Sequence, residues 1–199
     1  MKKLLIINGS ITNDKQSMSL KVLNKLIEEY KKNNPNDEIE IIDANKTHNE
    51  FYVNANNIDS YYKNIKSDEW IEKVKNADKI IITNPMINFG PAPVIKNFMD
   101  SIMVPNKTFT YKVETNNGKN GLLSNLKVLV LTSQGSAKGA YEWGNLNSWL
   151  TGIWKFLGAE DVRLLNIHST DLENNRDKDF DEVFNEIYKD DFDKVLNNF

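Results

Sequence analysis

The chain has 199 residues, of which 40% are hydrophobic and 27% charged, the composition of a globular protein with one core. Its net charge of −3 and the absence of a dense Lys/Arg block argue against a nucleic-acid-binding surface. It contains no cysteine, which excludes disulfides, thiolate nucleophiles and zinc–thiolate sites and fits a reducing compartment.

No segment has the pattern of a signal peptide or a membrane span. The N-terminal apolar run, Leu4 to Ile7, is shorter than the roughly 7–15 residues of a signal peptide. No apolar stretch approaches the ~18 residues that a membrane span needs. We therefore expect a cytoplasmic protein with no membrane partner.

The first half of the chain alternates strand and helix patterns. An apolar run closed by a glycine, Lys3 to Asn8, predicts a strand buried on both faces. Apolar residues then recur near helical spacing, at Leu20, Leu23, Ile27 and Tyr30. Alternation over Glu38 to Asp43 predicts a second strand, and Ser67 is expected to cap a helix that carries Trp70 and Val74.

The second half continues this alternation. Buried strands are predicted at Lys79–Thr83, Leu126–Thr132 and Val162–Ile167. Helices are predicted from Pro93, which suits a first turn, to about Met103, from Leu146 to Leu157, and over a final stretch from Phe180 to Leu196.

Five strand–helix repeats predict an α/β fold, a doubly wound five-stranded parallel sheet with helices on both faces. We expect one domain over residues 1–199, with residues 104–124 forming a projecting hairpin around a Gly-rich turn. Ligands of such sheets bind beyond the carboxyl ends of the strands. This rule selects three loops, those that follow Asn8, Thr83 and Leu131.

The loop after the first strand is rich in hydroxyl groups, with Ser10, Thr12, Ser17 and Ser19 before a helix. Hydroxyls and free N–H groups at a helix N-terminus suit a phosphate. The loop contains neither G-x-x-x-x-G-K-[ST] nor G-x-G-x-x-G, so we expect a monophosphate held without an Arg or Lys clamp. The alternative is that Ser17 or Ser19 is a simple N-cap.

The loop after the third strand contains three prolines, Pro85, Pro91 and Pro93, which stiffen it. A stiff loop can present the Asn88 amide to a ring's heteroatoms while Met86 and Phe89 cover the ring face. The alternative is that Met86 and Phe89 belong to the core.

In the loop after the fourth strand, small residues from Ser133 to Ser136 let backbone N–H groups approach a ligand.

Four motifs, in this order, carry a resemblance to a known family. They are Pro-Met-x-Asn-Phe at 85–89, Pro-x-x-x-Lys-Asn at 91–97 with an extra Pro93, Thr-Phe-x-Tyr at 108–111, and Phe-x-Gly-x-x-Asp-Val at 156–162. The chain resembles the FMN-dependent NADH:quinone and azo-compound oxidoreductases, the bacterial azoreductases of flavodoxin-like fold.

The resemblance implies positions for bound FMN. Its phosphate would contact Ser10, Ser17, Met18 and Ser19. Its isoalloxazine would lie along Pro85, Met86, Ile87, Asn88 and Phe89, with Ser133, Gln134, Gly135 and Ser136 at the pyrimidine side. Tyr111 and Phe156 would line the substrate pocket of a homodimer whose sites lie at the subunit interface.

The implied activity is hydride transfer from NADH or NADPH through FMN to quinones and azo compounds, in a two-step ping-pong mechanism that needs no catalytic side chain. Gln134 and Ser136 depart from the family's usual Ser-Arg-Gly-Gly, which removes a positive charge.

The alternatives to this enzymatic activity are a flavodoxin-type electron carrier and a non-catalytic FMN-binding protein. The two histidines, His48 and His168, are expected to be structural or exposed, with no metal ligand cluster around them. The older family label of acyl carrier protein phosphodiesterase finds no Ser-His-Asp arrangement to support it.

Overall fold

The structure is a computed structural model that describes residues 1–12, 17–113, 120–172, 175 and 178–199. Its sheet is built from six strands: β1 (Lys3–Asn8), β2 (Glu38–Asp43), β3 (Lys79–Ile87), β4 (Gly90–Pro91), β5 (Lys127–Ser133) and β6 (Asp161–Ile167). Five of them are parallel, in the order β2-β1-β3-β5-β6, and the two-residue β4 pairs antiparallel with the end of β3. The predicted flavodoxin-like parallel sheet is confirmed, with β4 as an addition.

Helices cover both faces of the sheet: α1 (Met18–Asn33), α2 (Ala44–Thr47), α3 (Tyr61–Asn64), α4 (Ser67–Lys75), α5 (Pro93–Ile102), α6 (Leu146–Phe156), α7 (Phe180–Val183) and α8 (Lys189–Leu196). A π-helical stretch, Phe184–Tyr188, joins α7 to α8, where the sequence predicted one continuous helix. In the part of the chain that the structure describes, no helix is long and apolar enough to cross a membrane.

Alternate residues of each central strand point into two separate cores. On one face, Ile80 of β3 and Val128 of β5 belong to a cluster that includes Phe98 of α5 and Trp154 of α6. On the other face, Ile81 belongs to a cluster formed with α1, α7 and α8. Burial on both faces explains why these strands are continuous apolar runs rather than alternating ones.

Two boundary predictions need correction. β3 continues four residues past the predicted end at Thr83, because Asn84 and Pro85 still pair with β5, and Met86 and Ile87 pair with β4. The prediction that Ser67 caps α4 is also wrong. Lys66 occupies the cap position with a left-handed backbone, φ 58°, and Ser67 is already the first helical residue.

The two arms of the predicted hairpin at 104–124 pair with each other. The Thr110 amide donates to the Asn120 carbonyl at 2.7 Å, and the Leu122 amide donates to the Thr108 carbonyl at 3.0 Å. This antiparallel pairing brackets Phe109 and Gly121. The predicted Gly-rich turn falls on residues 114–119, which lie outside the described residues.

A neutral histidine is enclosed where α2 meets α5. His48 is 0% exposed, with its ring between those of Trp70 and Phe98. The Ser101 hydroxyl donates to the Phe98 carbonyl at 2.7 Å, which leaves Ser101 Oγ to accept from the imidazole Nε2–H at 3.2 Å. The other ring nitrogen, Nδ1, lies 2.8 Å from Thr47 Oγ1, and the Asp43 carbonyl lies 3.3 Å from the same hydroxyl. Burial lowers the pKa of His48 to about 4.

We predict that His48 makes the fold acid-sensitive. In the unfolded chain its pKa is near ~6.5, so as the pH falls below that value the unfolded state binds a proton that the folded state excludes. Between about pH 7 and about pH 5 this group should lower the free energy of unfolding by about 2 kcal/mol. Urea unfolding of the wild type and of His48→Gln at both pH values measures the difference.

The control for this prediction is His168→Gln. Burial and the nearby Lys138 also lower the pKa of His168, but its substitution leaves the His48 contribution in place. An equal loss of stability in the wild type and in His48→Gln would contradict the assignment.

Candidate functional site

The three loops selected from the sequence start side by side at the carboxyl edge of the sheet. The strand register pairs Asn8 with Thr83, and Pro85 with Ser133. The Gly9 amide donates to Thr83 Oγ1 at 2.9 Å, which ties the first loop to β3. The loops after β1, β3 and β5 therefore surround a common space.

A cleft of about 480 Å³ occupies that space. Six of the predicted cofactor residues line it, from all three loops: Ser10, Ser17, Met18, Ser19, Pro85 and Ser133. Residues from beyond β6 form the opposite wall: Thr170, Asp171, Asn175, Lys178 and Phe180. Residues 13–16 of the first loop lie outside the described residues.

One end of the cleft is the N-terminus of α1. Ser17 is its N-cap, with Oγ accepting from the Leu20 amide at 3.5 Å, so the capping role belongs to Ser17 and not to Ser19. The Ser17 and Ser19 hydroxyl oxygens lie 3.1 Å apart. No acidic residue stands in the first turn, so the positive end of the helix dipole faces the cleft without a compensating carboxylate on this helix.

Two lysines line the same cleft, Lys21 and Lys178. The Lys21 ammonium lies 5.1 Å from the centroid of the Phe180 ring. Lys178 is bound by Glu186 at 2.9 Å and Glu182 at 3.3 Å, and hydrogen bonds to these two carboxylates raise its pKa. The sequence did not single out these two lysines, which α1 and the segment before α7 bring to the edge of the cleft.

The position of Ser10 depends on residues that the sequence did not single out. The Ser10 amide donates to Asn8 Oδ1 at 3.0 Å, and Asn45 Nδ2 donates to the Ser10 carbonyl at 2.7 Å. Asn45 stands 35 residues away, after β2, and no local pattern identifies it. It holds the first loop against α2.

The segment predicted to follow the ring edge is a tight hairpin, not a proline-stiffened loop. Asn88 and Phe89 form its two-residue turn between the pairs Ile87–Gly90 and Met86–Pro91. Both have positive φ, 46° and 69°, the geometry of a type I′ turn. Asparagine tolerates this conformation, whereas phenylalanine is strained in it.

A second cleft of about 410 Å³ lies beside this hairpin. Met86 and Gln134, the neighbours in sequence of Pro85 and Ser133, are part of its lining. Tyr141 also lines it, and the Phe89 ring contacts those of Tyr141 and Trp143, with centroids 5.0 Å and 4.4 Å away. The sequence analysis missed Tyr141 and Trp143, although two aromatic residues in a glycine-flanked loop were a visible signal.

The segment 134–136 is fixed to the loop after β6. The Gln134 amide donates to the Ile167 carbonyl and the Ser169 amide donates to the Ser136 carbonyl, both at 2.8 Å. The Gln134 side chain turns back to donate to Ser136 Oγ at 3.1 Å. Gly135 cannot be replaced without displacing Asp171, because an added Cβ would lie 2.1 Å from the Asp171 carboxylate oxygen. The N–H groups of Gly135 and Ser136 take no part in these bonds.

Tyr111 and Phe156 line neither cleft. Both rings pack on Phe109, at 5.3 Å and 5.2 Å, and Tyr111 is 75% exposed. Phe156 ends α6 shortly before β6 begins, at the opposite edge of the sheet from the three loops. A single copy of the chain therefore does not bring these two residues to the predicted cofactor positions.

We predict that the turn at 88–89 tolerates glycine but not a β-branched residue. Asn88→Gly should change the free energy of unfolding by less than about 0.5 kcal/mol, since glycine adopts positive φ freely. Asn88→Val should lose roughly 1–2 kcal/mol, because its Cβ clashes in the left-handed region. Urea denaturation of the two variants measures this difference, and equal stability would contradict a left-handed residue 88.

Solved structures share the whole architecture. The crystal structure of an azoreductase from Bacillus anthracis strain Sterne superimposes with a TM-score of 0.79 over 100% of both chains, at 24% identity. An FMN-dependent NADH-azoreductase from Bacillus anthracis strain Ames Ancestor, determined in complex with FMN, has a TM-score of 0.73 at 25% identity and covers 98% of each chain.

Sequence comparisons give the same relationship. The profile of the Flavodoxin_2 family, described as a flavodoxin-like fold, matches residues 2–190. An FMN-dependent NADH:quinone oxidoreductase from Mycoplasmopsis synoviae is 41% identical over 196 residues, 98% of each protein. The chain belongs to this flavodoxin-like family, whose members include the FMN-dependent NADH:quinone oxidoreductases.

Proposed function

We propose that the protein is an FMN-dependent oxidoreductase that transfers hydride from NADH to quinones and azo compounds. One observation carries this proposal: a single cleft is lined by the hydroxyl-rich loop after β1, by Pro85 after the core of β3, and by Ser133 at the end of β5. The relatives named above act with FMN and NADH, and the same residues would give FMN its phosphate and ring contacts here.

The residues at the α1 end fit a phosphate monoester. Three hydroxyl groups, those of Ser10, Ser17 and Ser19, line the cleft beside the N-terminus of a 16-residue helix. Lys21 and Lys178 also line this cleft, but Asp171 lines it too, and Lys178 is paired with Glu182 and Glu186. We assign the phosphate to this end.

The residues at the hairpin end fit a flat ring with polar edges. Met86 and Gln134 line the neighbouring cleft, the Asn88 amide is exposed on the turn, and the Gly135 and Ser136 amides lie on the facing loop. Bound FMN supplies the hydride-carrying chemistry. The N–H groups of Gly135 and Ser136 would stabilise negative charge on the ring edge, as preorganised donors do without reorganisation.

No side chain of the chain needs to act as an acid or base. His48 is enclosed at the α2–α5 contact, and His168 lines neither described cleft. Solvent supplies the proton to the reduced acceptor. Donor and acceptor would occupy the same place beside the bound ring in turn, in a ping-pong order.

We further propose a cytoplasmic homodimer with each active site at the interface. The support is the separation of Tyr111 and Phe156 from both clefts. Both are exposed rings that pack on the buried Phe109, and in a dimer a second copy of the chain would bring Tyr111 and Phe156 over the first copy's open cleft.

Anaerobic titration of the purified yellow protein tests the proposed function. We predict that NADH bleaches the flavin absorbance and that a quinone such as menadione restores it. A flavodoxin-type carrier would retain its flavin absorbance on addition of NADH. A protein that is purified without flavin and takes none up would contradict both the oxidoreductase and the electron carrier.

Ser17→Ala and Asn88→Gly test the assignment of the cofactor site. Each removes one hydrogen bond to the cofactor, so each should raise the Kd for FMN about threefold to tenfold. Asn88→Gly preserves the turn and separates a cofactor contact from a folding effect. Unchanged FMN affinity in both variants would refute the placement of the cofactor.

The shared site predicts complementation, at an FMN concentration that does not saturate the variants, between two proteins of reduced activity. Subunits with Tyr111→Ala and Phe156→Ala are mixed with subunits that carry Ser17→Ala and Asn88→Gly. If each site takes residues from both copies, a mixed dimer contains one intact site, so quinone reductase activity should rise after subunit exchange. Activity equal to the average of the separate proteins, or a monomer in analytical ultracentrifugation, would contradict the interface.

A further inference from the structure

Three mutually contacting aromatic side chains are exposed beside the second cleft. We call Phe89, Tyr141 and Trp143 the aromatic platform. Their ring centroids lie 4.4–5.7 Å apart, in tilted or edge-to-face pairs. Phe89 is 42% exposed, Tyr141 44% and Trp143 73%, so much of this aromatic surface faces solvent. A contiguous exposed aromatic surface of this kind often marks a binding site.

The backbone on both sides of the platform is shaped to bring these rings together. Phe89 holds a left-handed conformation, φ 69°, that is unfavourable for a residue with a large side chain. Across from it, Gly144 allows close approach, since an added Cβ there would lie 3.3 Å from Phe89 Cβ. The strained backbone at Phe89 and the close contact at Gly144 together hold the three rings in this arrangement.

The platform is continuous with the proposed active site. Phe89 shares its turn with Asn88, and Tyr141 lines the same cleft as Met86 and Gln134. Lys138 and Glu142 also line this cleft, so their opposite charges balance. A ligand at this place meets aromatic faces and no net charge.

We propose that the platform selects the electron acceptor by stacking against the second ring of a flat, uncharged two-ring quinone. This inference rests on the proposed function and adds the class of acceptor. A one-ring quinone would reach the flavin without covering the platform, whereas a fused second ring would extend over it. The charge of the cleft favours the acceptor over the donor, because the diphosphate of NADH would gain nothing from balanced charges.

Equilibrium binding to the oxidised, FMN-loaded protein tests the platform without turnover. Calorimetric titration compares the Kd of menadione, which has two fused rings, with that of 1,4-benzoquinone, which has one. The absence of cysteine excludes thiol adducts of either quinone. Trp143→Leu and Tyr141→Leu should each raise the Kd for menadione about threefold to tenfold, the range of one aromatic pair, and leave benzoquinone unchanged. Trp143→Phe should restore most of the affinity.

Tyr62→Leu is the matched control, since Tyr62 is 40% exposed and lines neither cleft. Equal Kd values for menadione in the wild type and Trp143→Leu, or an equal loss of both quinones, would overturn the proposal. So would a change confined to the reductive half-reaction with NADH, which would place the donor on the platform. A wild-type flavin that NADH does not reduce would instead overturn the proposed function itself.

Discussion

The structure depends on the register between three parallel strands. β1, β3 and β5 pair so that Asn8 stands beside Thr83, and Pro85 beside Ser133. The Thr83 hydroxyl strengthens this alignment, because it accepts from the Gly9 amide at 2.9 Å and donates to Asn8 Oδ1 at 3.1 Å. A change of register would separate the hydroxyl groups that face a phosphate from the loops that face a ring.

Local hydrogen bonding then fixes the described part of each loop. The 134–136 loop is held by the segment after β6, the first loop by Asn45, and the end of β3 by its own antiparallel partner β4. These contacts come from the protein itself. Such contacts preorganise the walls of the two clefts, which lowers the entropic cost of binding a rigid ring.

The turn formed by Asn88 and Phe89 has a backbone conformation that is unfavourable for stability but positions an aromatic ring for binding. Asn88 tolerates a left-handed backbone, but Phe89 is unfavourable there and is held by contacts with Tyr141 and Trp143. A glycine at 89 would relieve the strain and remove the ring. Outliers of this kind concentrate where geometry serves binding rather than folding.

The sequence predicted most of the scaffold, since apolar periodicity is a local property. The prediction matches the ends of β1 and β2 and the first turn of α5 at Pro93. β3 extends beyond its predicted end because pairing partners, not composition, decide where a strand stops. Ser67 was misassigned because Lys66 took the left-handed cap position, a choice that depends on the preceding turn.

The loops that form the site were also predicted from the sequence, because turn residues and hydroxyl groups cluster after apolar runs. Only the tertiary structure decided which residues share a cleft. It brought Lys21, Asn45 and Lys178 to the first loop, and it left Tyr111 and Phe156 at the far side of the sheet. Distances across a sheet follow from strand order and register, and no short window of sequence contains them.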